Sequence, residues 1–459
     1  MTSFEDCVVF ASKALDLDFS LKDKQLETLR ALYNGHDCVS VMPTGCGKSV
    51  IFQCLPWLFQ CKRGLQYPLI TLVVSPLTSL MQDQVMTLCE KGIKACFLNC
   101  EGTHGSTYKL RGEEENDSDD DQDKTDVHVS CSTSLIDLQR GAYNIIYAHP
   151  ETLLNNKNIS SMLRSKLYKQ RVCAVVIDEV HMMSEWGMSF RKAFKKLSEL
   201  VCIFPLPDTV HLAMTTTATP TAIKELVDDL QFTDTTTITV NPDRPNIKLE
   251  IQTRLPNIRK YEKLDELLHP LAQELRDLLS CFPLTIVYIN QLEALGYCYQ
   301  YIEDFLGEFS YFPVHDPIPE NRLFAQFHKD YTSKMKAHIV CQLRKENPTL
   351  RLIFATVPLG MGLNAPGISR VIHFQPPTTL EKYLQEIGRA GHNGQQATAI
   401  LYYNMSDIAP NRKGLSEEIR KFCLNKCTCL RKHLLQYFGF SNVLYCGSPE
   451  NCCSNCQKK

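Results

Sequence analysis

The sequence predicts an α/β fold in which two parallel-sheet domains follow one another and a small cysteine-rich helical module comes after them. Two sets of short apolar runs, rich in β-branched residues and separated by helical patterns, indicate two buried parallel sheets. A glycine-rich loop lies in the first set, and closely spaced cysteines lie beyond the second. We therefore expect domains at residues 1–240, 241–408 and 409–459.

The strand-like runs of the first set end in polar or small residues, which places candidate functional groups at one sheet edge. This set is Cys38–Val41, Leu69–Ser75, Asn144–Tyr147, Val172–Ile177 and Val210–Met214. The second set is Leu284–Ile289, Leu350–Thr356, Arg370–Phe374 and Ala397–Tyr403. Ligands of parallel sheets bind beyond the carboxyl ends of the strands, so the polar ends of the first set should line a site.

The composition is that of a globular protein without a membrane segment. Of the 459 residues, 44% are hydrophobic and 22% are charged, enough to form several cores. No apolar run is long enough for a membrane span, and the start lacks the features of a signal peptide. Most of the 21 cysteines stand singly in apolar runs, which favours a reducing compartment over a disulfide framework.

The negative charge of one strongly acidic stretch offsets the positive charge of the rest of the chain. Residues 113–126 contain nine acidic residues and one lysine, a charge of −8, so the net charge of −2 leaves +6 elsewhere. We expect residues 112–126 to be a disordered insertion, with a regulatory or DNA-mimicking role as the alternative. Net charge therefore neither supports nor excludes a nucleic-acid partner.

A phosphate-binding loop is predicted at residues 41–50, between a short apolar strand and a helical pattern. Such a turn points backbone N–H groups and a helix N-terminus at one spot, which suits a polyphosphate such as that of ATP. Lys48 would reach the β- and γ-phosphates and Ser49 would bind Mg²⁺. The expected nucleotide contacts are Thr44, Gly45, Cys46, Gly47, Lys48 and Ser49. Met42 stands where the general pattern has its first glycine, and a chance glycine–serine turn is the alternative.

Two acidic residues, Asp178 and Glu179, follow the apolar run that ends at Ile177. A carboxylate at a strand end can hold Mg²⁺, and a second one beside it can orient or deprotonate an attacking water. An ordinary strand-to-loop transition is the alternative. The phosphate loop upstream and the threonine-rich run downstream favour the catalytic interpretation.

Four stretches together resemble superfamily 2 helicases, and most closely the RecQ DNA helicases. They are the phosphate loop, Ser75–Val85, Asp178–His181 and Ser184–Arg191. The resemblance implies two tandem RecA-like (P-loop) domains with parallel sheets, plus a small C-terminal zinc-binding helical module. It also implies an ATP-dependent 3′–5′ DNA helicase that couples ATP hydrolysis to translocation on single-stranded DNA and to duplex unwinding.

Two further groups of residues are candidates for contacts with the base of ATP and with DNA. Gln25 can read an adenine edge with its amide and Lys22 can lie against the base, although a solvated helix start is the alternative. Trp186 lies in a segment similar to the family's aromatic-rich loop, which couples single-stranded DNA to hydrolysis. Trp186 and Phe190 can stack on bases and Arg191 can pair with a phosphate. A buried tryptophan at a loop-to-helix corner is the alternative.

The second domain resembles the family in two further motifs. Ala355–Asn364 is similar to the fifth motif, and Gln385–Gly394 is similar to the sixth, which supplies arginines to the γ-phosphate. Arg389 occupies the first arginine position of the sixth motif. His392 occupies the second, where the family has its usual arginine finger. A histidine reaches less far and is mostly neutral near pH 7. Either hydrolysis is slow or another base such as Arg389 takes over, and we expect a weakened but not abolished ATPase.

The cysteines near the carboxyl end indicate a structural zinc site. Cys429 begins a helix that resembles the one carrying the first zinc ligand of RecQ proteins. Cys446, Cys453 and Cys456 follow at a C-x₆-C-x₂-C spacing that suits the other three ligands. Cys427 and Cys452 are spare candidates.

The sequence therefore predicts an ATP-dependent DNA helicase with ATP, Mg²⁺ and Zn²⁺ as cofactors. Expected partners are single-stranded DNA and forked or branched duplexes, with no membrane, in a monomeric nuclear protein of DNA repair or recombination. One alternative is a DNA-stimulated translocase or annealing factor that unwinds poorly. The other is a nucleotide-dependent DNA-binding adaptor whose catalysis has decayed.

Overall fold

The computed structural model describes residues 2–76, 78–98, 135–180, 196–255, 261–345, 347–356, 367–392, 394–442 and 444–458. Within it the chain forms two compact units, Met1–Val240 and Asn241–Lys459. The second unit contains both the second sheet and the cysteine-rich module. No helix in the described part of the chain is long and apolar enough to cross a membrane.

The first unit is built on a seven-stranded sheet in which all neighbouring strands are parallel. Its strands are β1 Asp37–Val41, β2 Ile70–Val74, β3 Ala95–Leu98, β4 Ile145–Ala148, β5 Val172–Ile177, β6 Val210–Thr215 and β7 Thr235–Thr239. Their spatial order is β3-β4-β2-β5-β6-β1-β7. The central strands are buried along their whole length, as their continuous apolar runs predict.

Helices cover the first sheet. They are α1 Phe4–Ala14, α2 Asp23–Tyr33, α3 Lys48–Arg63, α4 Thr78–Glu90, α5 Leu135–Gln139, α6 Pro150–Asn155, α7 Lys157–Leu163, α8 Lys166–Arg171, α9 Ser198–Ile203 and α10 Pro220–Leu230. Most of α3 is buried, and α1 packs on it through Cys7 and Ala11. The helix after the phosphate loop is thus held deep in the core.

The second unit contains a six-stranded parallel sheet in the order β10-β11-β9-β12-β13-β8. Its strands are β8 Ile247–Thr253, β9 Thr285–Tyr288, β10 Phe324–Phe327, β11 Leu352–Ala355, β12 Arg370–His373 and β13 Ala397–Tyr403. Its helices are α11 Asp265–Leu278, α12 Leu292–Leu306, α13 Ser333–Arg344 and α14 Leu380–Ile387. The prediction of two parallel-sheet domains is confirmed, although the strands β3, β7, β8 and β10 were missed.

The cysteine-rich module packs against the edge strand β8. It consists of α15 Glu417–Leu424, α16 Leu430–Tyr437, α17 Pro449–Cys452 and α18 Ser454–Gln457. Leu249 and Cys453 form an isolated parallel bridge, and the backbone N–H of Ile251 donates to Ser454 Oγ at 3.3 Å. The module covers part of an edge that would otherwise present unpaired backbone groups.

Candidate active site

The phosphate loop lies between β1 and α3, and its two glycines adopt backbone angles that other residues avoid. The φ angle is +84° at Gly45 and +72° at Gly47, the residue that caps α3. A Cβ atom at Gly47 would lie 2.7 Å from Gln25 Nε2, so a side chain there would have to displace the Gln25 amide. The first N–H groups of α3 lack intrahelical acceptors, which suits them to phosphate oxygens.

Gln25 and Lys22 hold the phosphate loop from the start of α2. Gln25 is only 2% exposed, and its Nε2 donates to the carbonyl oxygens of Cys46 at 2.8 Å and Gly47 at 3.0 Å. Its Oε1 accepts from the backbone N–H of Lys22 at 2.7 Å, while Lys22 Nζ donates to the Gly45 carbonyl oxygen at 3.4 Å. Both residues therefore fix the loop, and their contact with an adenine stays a prediction.

A buried acidic pair, Asp178 and Glu179, directly follows β5. Asp178 Oδ1 accepts from the backbone N–H of Glu179 at 2.9 Å. The pKa of Asp178 is raised to about 7, first by burial and then by the charge of Glu179, while Lys48 lowers it. Glu179 has a φ angle of +54°, which costs energy for a residue with a side chain. A divalent cation would stabilise this pair because it offsets both negative charges.

Lys48 completes the phosphate-binding edge. Its Nζ donates to the Met42 carbonyl oxygen at 3.3 Å, so the ammonium lies across the loop that carries it. Thr44, Cys46 and Ser49 are half-buried in the same loop. The donor set fits magnesium-bound ATP, with Lys48 and the α3 N-terminus for phosphate oxygens and the Ser49 hydroxyl and Asp178 carboxylate for Mg²⁺.

The threonines that end β6 join the phosphate loop to the acidic pair. The Met42 N–H donates to the Thr215 carbonyl oxygen at 2.9 Å, and the Val180 N–H donates to the Met214 carbonyl oxygen at 3.0 Å. Thr215 Oγ1 donates to the Thr217 carbonyl oxygen at 3.0 Å and so shapes the turn. Sequence reasoning assigned these threonines no role of their own. The available signal was a run of small polar residues directly after a buried strand.

In the second unit, the turn after α14 carries Arg389 and His392. Arg389 is 5% exposed and His392 is half-buried. Burial lowers the pKa of His392, and the positive charges of Arg244 and Arg389 lower it further. The imidazole is therefore neutral near pH 7, unlike an arginine at the same position. At the end of α14, Glu386 Oε2 lies 2.8 Å from His373 Nε2, and both side chains are buried.

Four cysteine thiols gather where α16, α17 and α18 meet. The sulfur atoms of Cys429, Cys452, Cys453 and Cys456 all lie within 4.8 Å of one another. Cys429 Sγ is 3.6 Å from Cys452 Sγ and 3.9 Å from Cys453 Sγ. Zinc–sulfur bonds of ~2.3 Å in a tetrahedron imply sulfur–sulfur distances of about 3.8 Å, so this set fits Zn²⁺. The hydrogen bond from Cys429 lowers the pKa of Cys453 to about 4, towards the thiolate that binds metal.

The cysteine cluster differs from the predicted ligand set at a single position. The spacing predicts Cys446, but Cys446 is exposed and its Sγ donates to the Leu444 carbonyl oxygen at 3.8 Å. The buried Cys452, a spare candidate in the sequence, takes its place. The physical reason is the bridge between Leu249 and Cys453, which holds the end of α17 against β8 and brings Cys452 to the other thiols.

The comparisons with known proteins agree with this geometry. The DEAD/DEAH box helicase family matches residues 22–226, and the helicase conserved C-terminal domain matches residues 280–394. The ATP-dependent DNA helicase RecQ of Haemophilus influenzae is 28% identical over 94% of this chain. The ATP-dependent DNA helicase Q1 of Rattus norvegicus is 28% identical over 95% of it. Over nearly its whole length, this chain is thus similar to RecQ DNA helicases.

The chain spans 61% of the length of the Haemophilus protein and 62% of that of the rat protein. Among solved structures, the DUF1998 helicase MrfA bound to DNA and AMPPNP has a TM-score of 0.61. That match covers 95% of this chain and 57% of MrfA at 15% identity, so it shows the fold alone.

Several predicted residues of the chain lie outside the described residues. They are the DNA-contact candidates Trp186, Phe190 and Arg191, the acidic stretch 112–126 and most of the fifth-motif segment Ala355–Asn364. The predicted phosphate-loop residues follow β1 and the acidic pair follows β5, and β6 lies between these two strands of the first sheet. Arg389 and His392 lie together on the turn of the second unit.

Proposed function

We propose that this protein hydrolyses ATP in response to single-stranded DNA, moves along the strand and unwinds duplex DNA. The observation that carries the proposal is the convergence of the phosphate loop, Asp178–Glu179 and Thr215–Thr217 on one edge of the first sheet. The helicase relatives and the two matched family regions support the same activity. A 3′–5′ direction and a preference for DNA rest on the resemblance to RecQ helicases.

Each group at this edge has a separate task in the proposed reaction. Lys48 and the N-terminus of α3 bind the β- and γ-phosphates and stabilise the charge that develops on them. Ser49 and Asp178 would hold Mg²⁺, which would supply positive charge to the phosphate oxygens. Glu179 orients the attacking water and accepts its proton. Thr215 keeps the phosphate loop and the acidic pair in register through the backbone of β6.

We further propose that hydrolysis is slower than it would be with an arginine at position 392. The lowered pKa of His392 leaves a neutral ring where the family has a cation. An arginine finger accelerates hydrolysis by about 10³–10⁵ in GTPases, which sets the scale of what is lost. Arg389 keeps one positive charge on the same turn, so a residual rate is expected.

Steady-state ATP hydrolysis with and without single-stranded DNA tests the proposed function. We expect a low basal rate that rises when the DNA is added. A rate that is zero with saturating DNA and Mg²⁺ would contradict the proposal and favour a DNA-binding adaptor. Unwinding of a forked duplex with a 3′ single-stranded tail, compared with a 5′ tail, then tests the direction.

A second candidate is a DNA-stimulated translocase or annealing factor that unwinds poorly. The neutral His392 favours it, because slow hydrolysis limits the work available for strand separation. Displacement of streptavidin from biotinylated single strands reports translocation without unwinding. Displacement without unwinding of the forked duplex would select this candidate.

A further inference from the structure

Arg431 is a buried arginine that contacts three separate parts of the second unit. It lies in the first turn of α16 and is 4% exposed. Its guanidinium donates to Asp243 Oδ1 and, at 2.9 Å, to the carbonyl oxygen of Arg244. It also donates to the carbonyl oxygens of Ile247 at 2.5 Å and Cys452 at 3.4 Å. One side chain thus forms hydrogen bonds with the cysteine module, with the start of β8 and with the segment that precedes β8, residues 243–246.

Arg244, which contacts Arg431, also contacts the turn that follows α14. The backbone of Arg244 accepts from Arg431, and the Arg244 side chain donates to three carbonyl oxygens of that turn. These belong to Gly388 at 3.3 Å, Ala390 at 3.2 Å and Gly391 at 2.6 Å. Asn246 Nδ2 also donates to the Gly391 carbonyl oxygen, at 2.9 Å. Contacts therefore run without interruption from the cysteine module to the turn that carries Arg389 and His392.

The fit between this segment and the turn is close. Gly391 has a φ angle of +62°, and a Cβ atom there would lie 2.3 Å from Asn246 Nδ2 and 2.7 Å from the Gln395 carbonyl oxygen. Glycine at position 391 therefore lets the segment and the turn approach more closely than any larger residue would. Interiors packed this tightly transmit strain instead of absorbing it.

We propose that Arg431 is a positioning residue that couples the cysteine module to the 388–391 turn, and so to the placement of Arg389 and His392. The guanidinium can do this because its planar fork fixes several acceptors in one geometry, which the single ammonium of a lysine cannot reproduce. Only the consequence for ATP hydrolysis rests on the proposed function. The coupling itself is a property of the second unit.

Arg254 is a matched control at the opposite end of β8. Its side chain is also buried, and its guanidinium pairs with Asp407 at 2.7 Å. It lies just after the last residue of β8, whereas Arg431 bonds to Ile247, the first. Arg254→Lys should therefore destabilise the same unit without loosening the 388–391 turn, which separates a general loss of stability from a specific coupling.

The test is hydrogen–deuterium exchange of the full zinc-loaded chain, comparing wild type, Arg431→Lys and Arg254→Lys. Hydrogen bonds to charged groups contribute roughly 1.5–3 kcal/mol, so Arg431→Lys should speed amide exchange over residues 386–392 by about tenfold or more. Arg254→Lys should leave the exchange of those residues unchanged. Equal exchange in wild type and Arg431→Lys, or equal acceleration in both variants, would overturn the coupling.

Zinc content and a milder variant keep the test decisive. Arg431→Lys should retain one zinc per chain. Loss of zinc would mean that Arg431 acts within the metal module alone, and would also overturn the proposal. If Arg431→Lys does not fold, Asp243→Asn removes one charged acceptor while keeping its shape. It should accelerate the same residues by a smaller factor, and unchanged exchange in it would contradict the coupling.

Kinetics distinguish failure of this inference from failure of the proposed function. In Arg431→Lys, kcat of the DNA-stimulated ATPase should fall while KM for ATP stays unchanged, because the phosphate loop belongs to the first unit. An inactive wild type would reject the proposed function, whereas the exchange data would still decide the coupling.

Discussion

The two units have similar parallel sheets, but they place their functional groups in different ways. In the first unit, the neighbouring strands β5, β6 and β1 bring Asp178, Thr215 and Lys48 to one edge. In the second unit, the turn with Arg389 is held by side chains from the segment before β8, chiefly Arg244. The first arrangement follows from the order of strands, and the second depends on individual distant contacts. Substitutions in the first unit should therefore act directly on the groups that bind and hydrolyse ATP. Substitutions in the second unit should act through the placement of the turn with Arg389.

The largest effect is expected from Lys48→Ala in the first unit. Removing the ammonium takes away a positive charge that stabilises the phosphates, and hydrolysis should fall by at least about 10²–10³. Steady-state ATPase with saturating single-stranded DNA measures it. Lys62→Ala, on the exposed far end of the same helix, is the control and should retain the wild-type rate. Undiminished hydrolysis by Lys48→Ala would remove the phosphate-loop assignment.

In the second unit, a pair of cysteine variants separates the two possible ligand sets. Cys452→Ser should lose the bound zinc and lower the thermal midpoint, because a structural zinc site contributes to folding directly. Cys446→Ser, at an exposed position outside the cluster, should keep both. Metal stoichiometry and thermal melts of the two proteins give the answer. The opposite result would restore the ligand set predicted from spacing.

The acidic pair makes the first unit sensitive to pH in the absence of Mg²⁺. The pKa of Asp178, about 7 when folded, lies above its reference of 3.8, so the folded state binds the proton more tightly. The stability of the wild type should therefore fall as pH rises from about 4 to about 7.

Asp178→Asn removes this dependence and should be the more stable protein at pH 8, by up to about 4 kcal/mol. The difference should shrink towards pH 5, which urea unfolding at several pH values can follow. Asp228→Asn, at an exposed position on α10, is the control and should show no pH-dependent gain. Parallel stability curves for wild type and Asp178→Asn would contradict the raised pKa.

The smallest expected effect is a gain in the second unit. His392→Arg should raise the DNA-stimulated ATPase rate, by about tenfold or more, because it restores a cation to the turn. Lowering the pH from 8 to 7 should not substitute for the variant, since the pKa of His392 is lowered by burial and by the charges of Arg244 and Arg389. Equal rates for His392→Arg and wild type would mean that the histidine does not slow ATP hydrolysis.

Much of the fold and of the first site could be predicted from the sequence because both follow from local patterns. Apolar runs such as Val172–Ile177 identify buried parallel strands, and the polar residues after them are carried to one edge by the direction of the chain. The strand Phe324–Phe327 escaped prediction, since it has four residues and is only partly buried.

The sequence by itself determined the two parallel sheets, the phosphate loop, the acidic pair and the presence of a cysteine cluster. Only the tertiary structure decided that Cys452 joins that cluster in place of Cys446, and that Arg431 and Arg244 hold the turn with Arg389. The physical reason is sequence distance. Arg431 bonds residues 187 and 188 positions away, and such contacts depend on how α16 and α17 pack on β8, which no local pattern encodes.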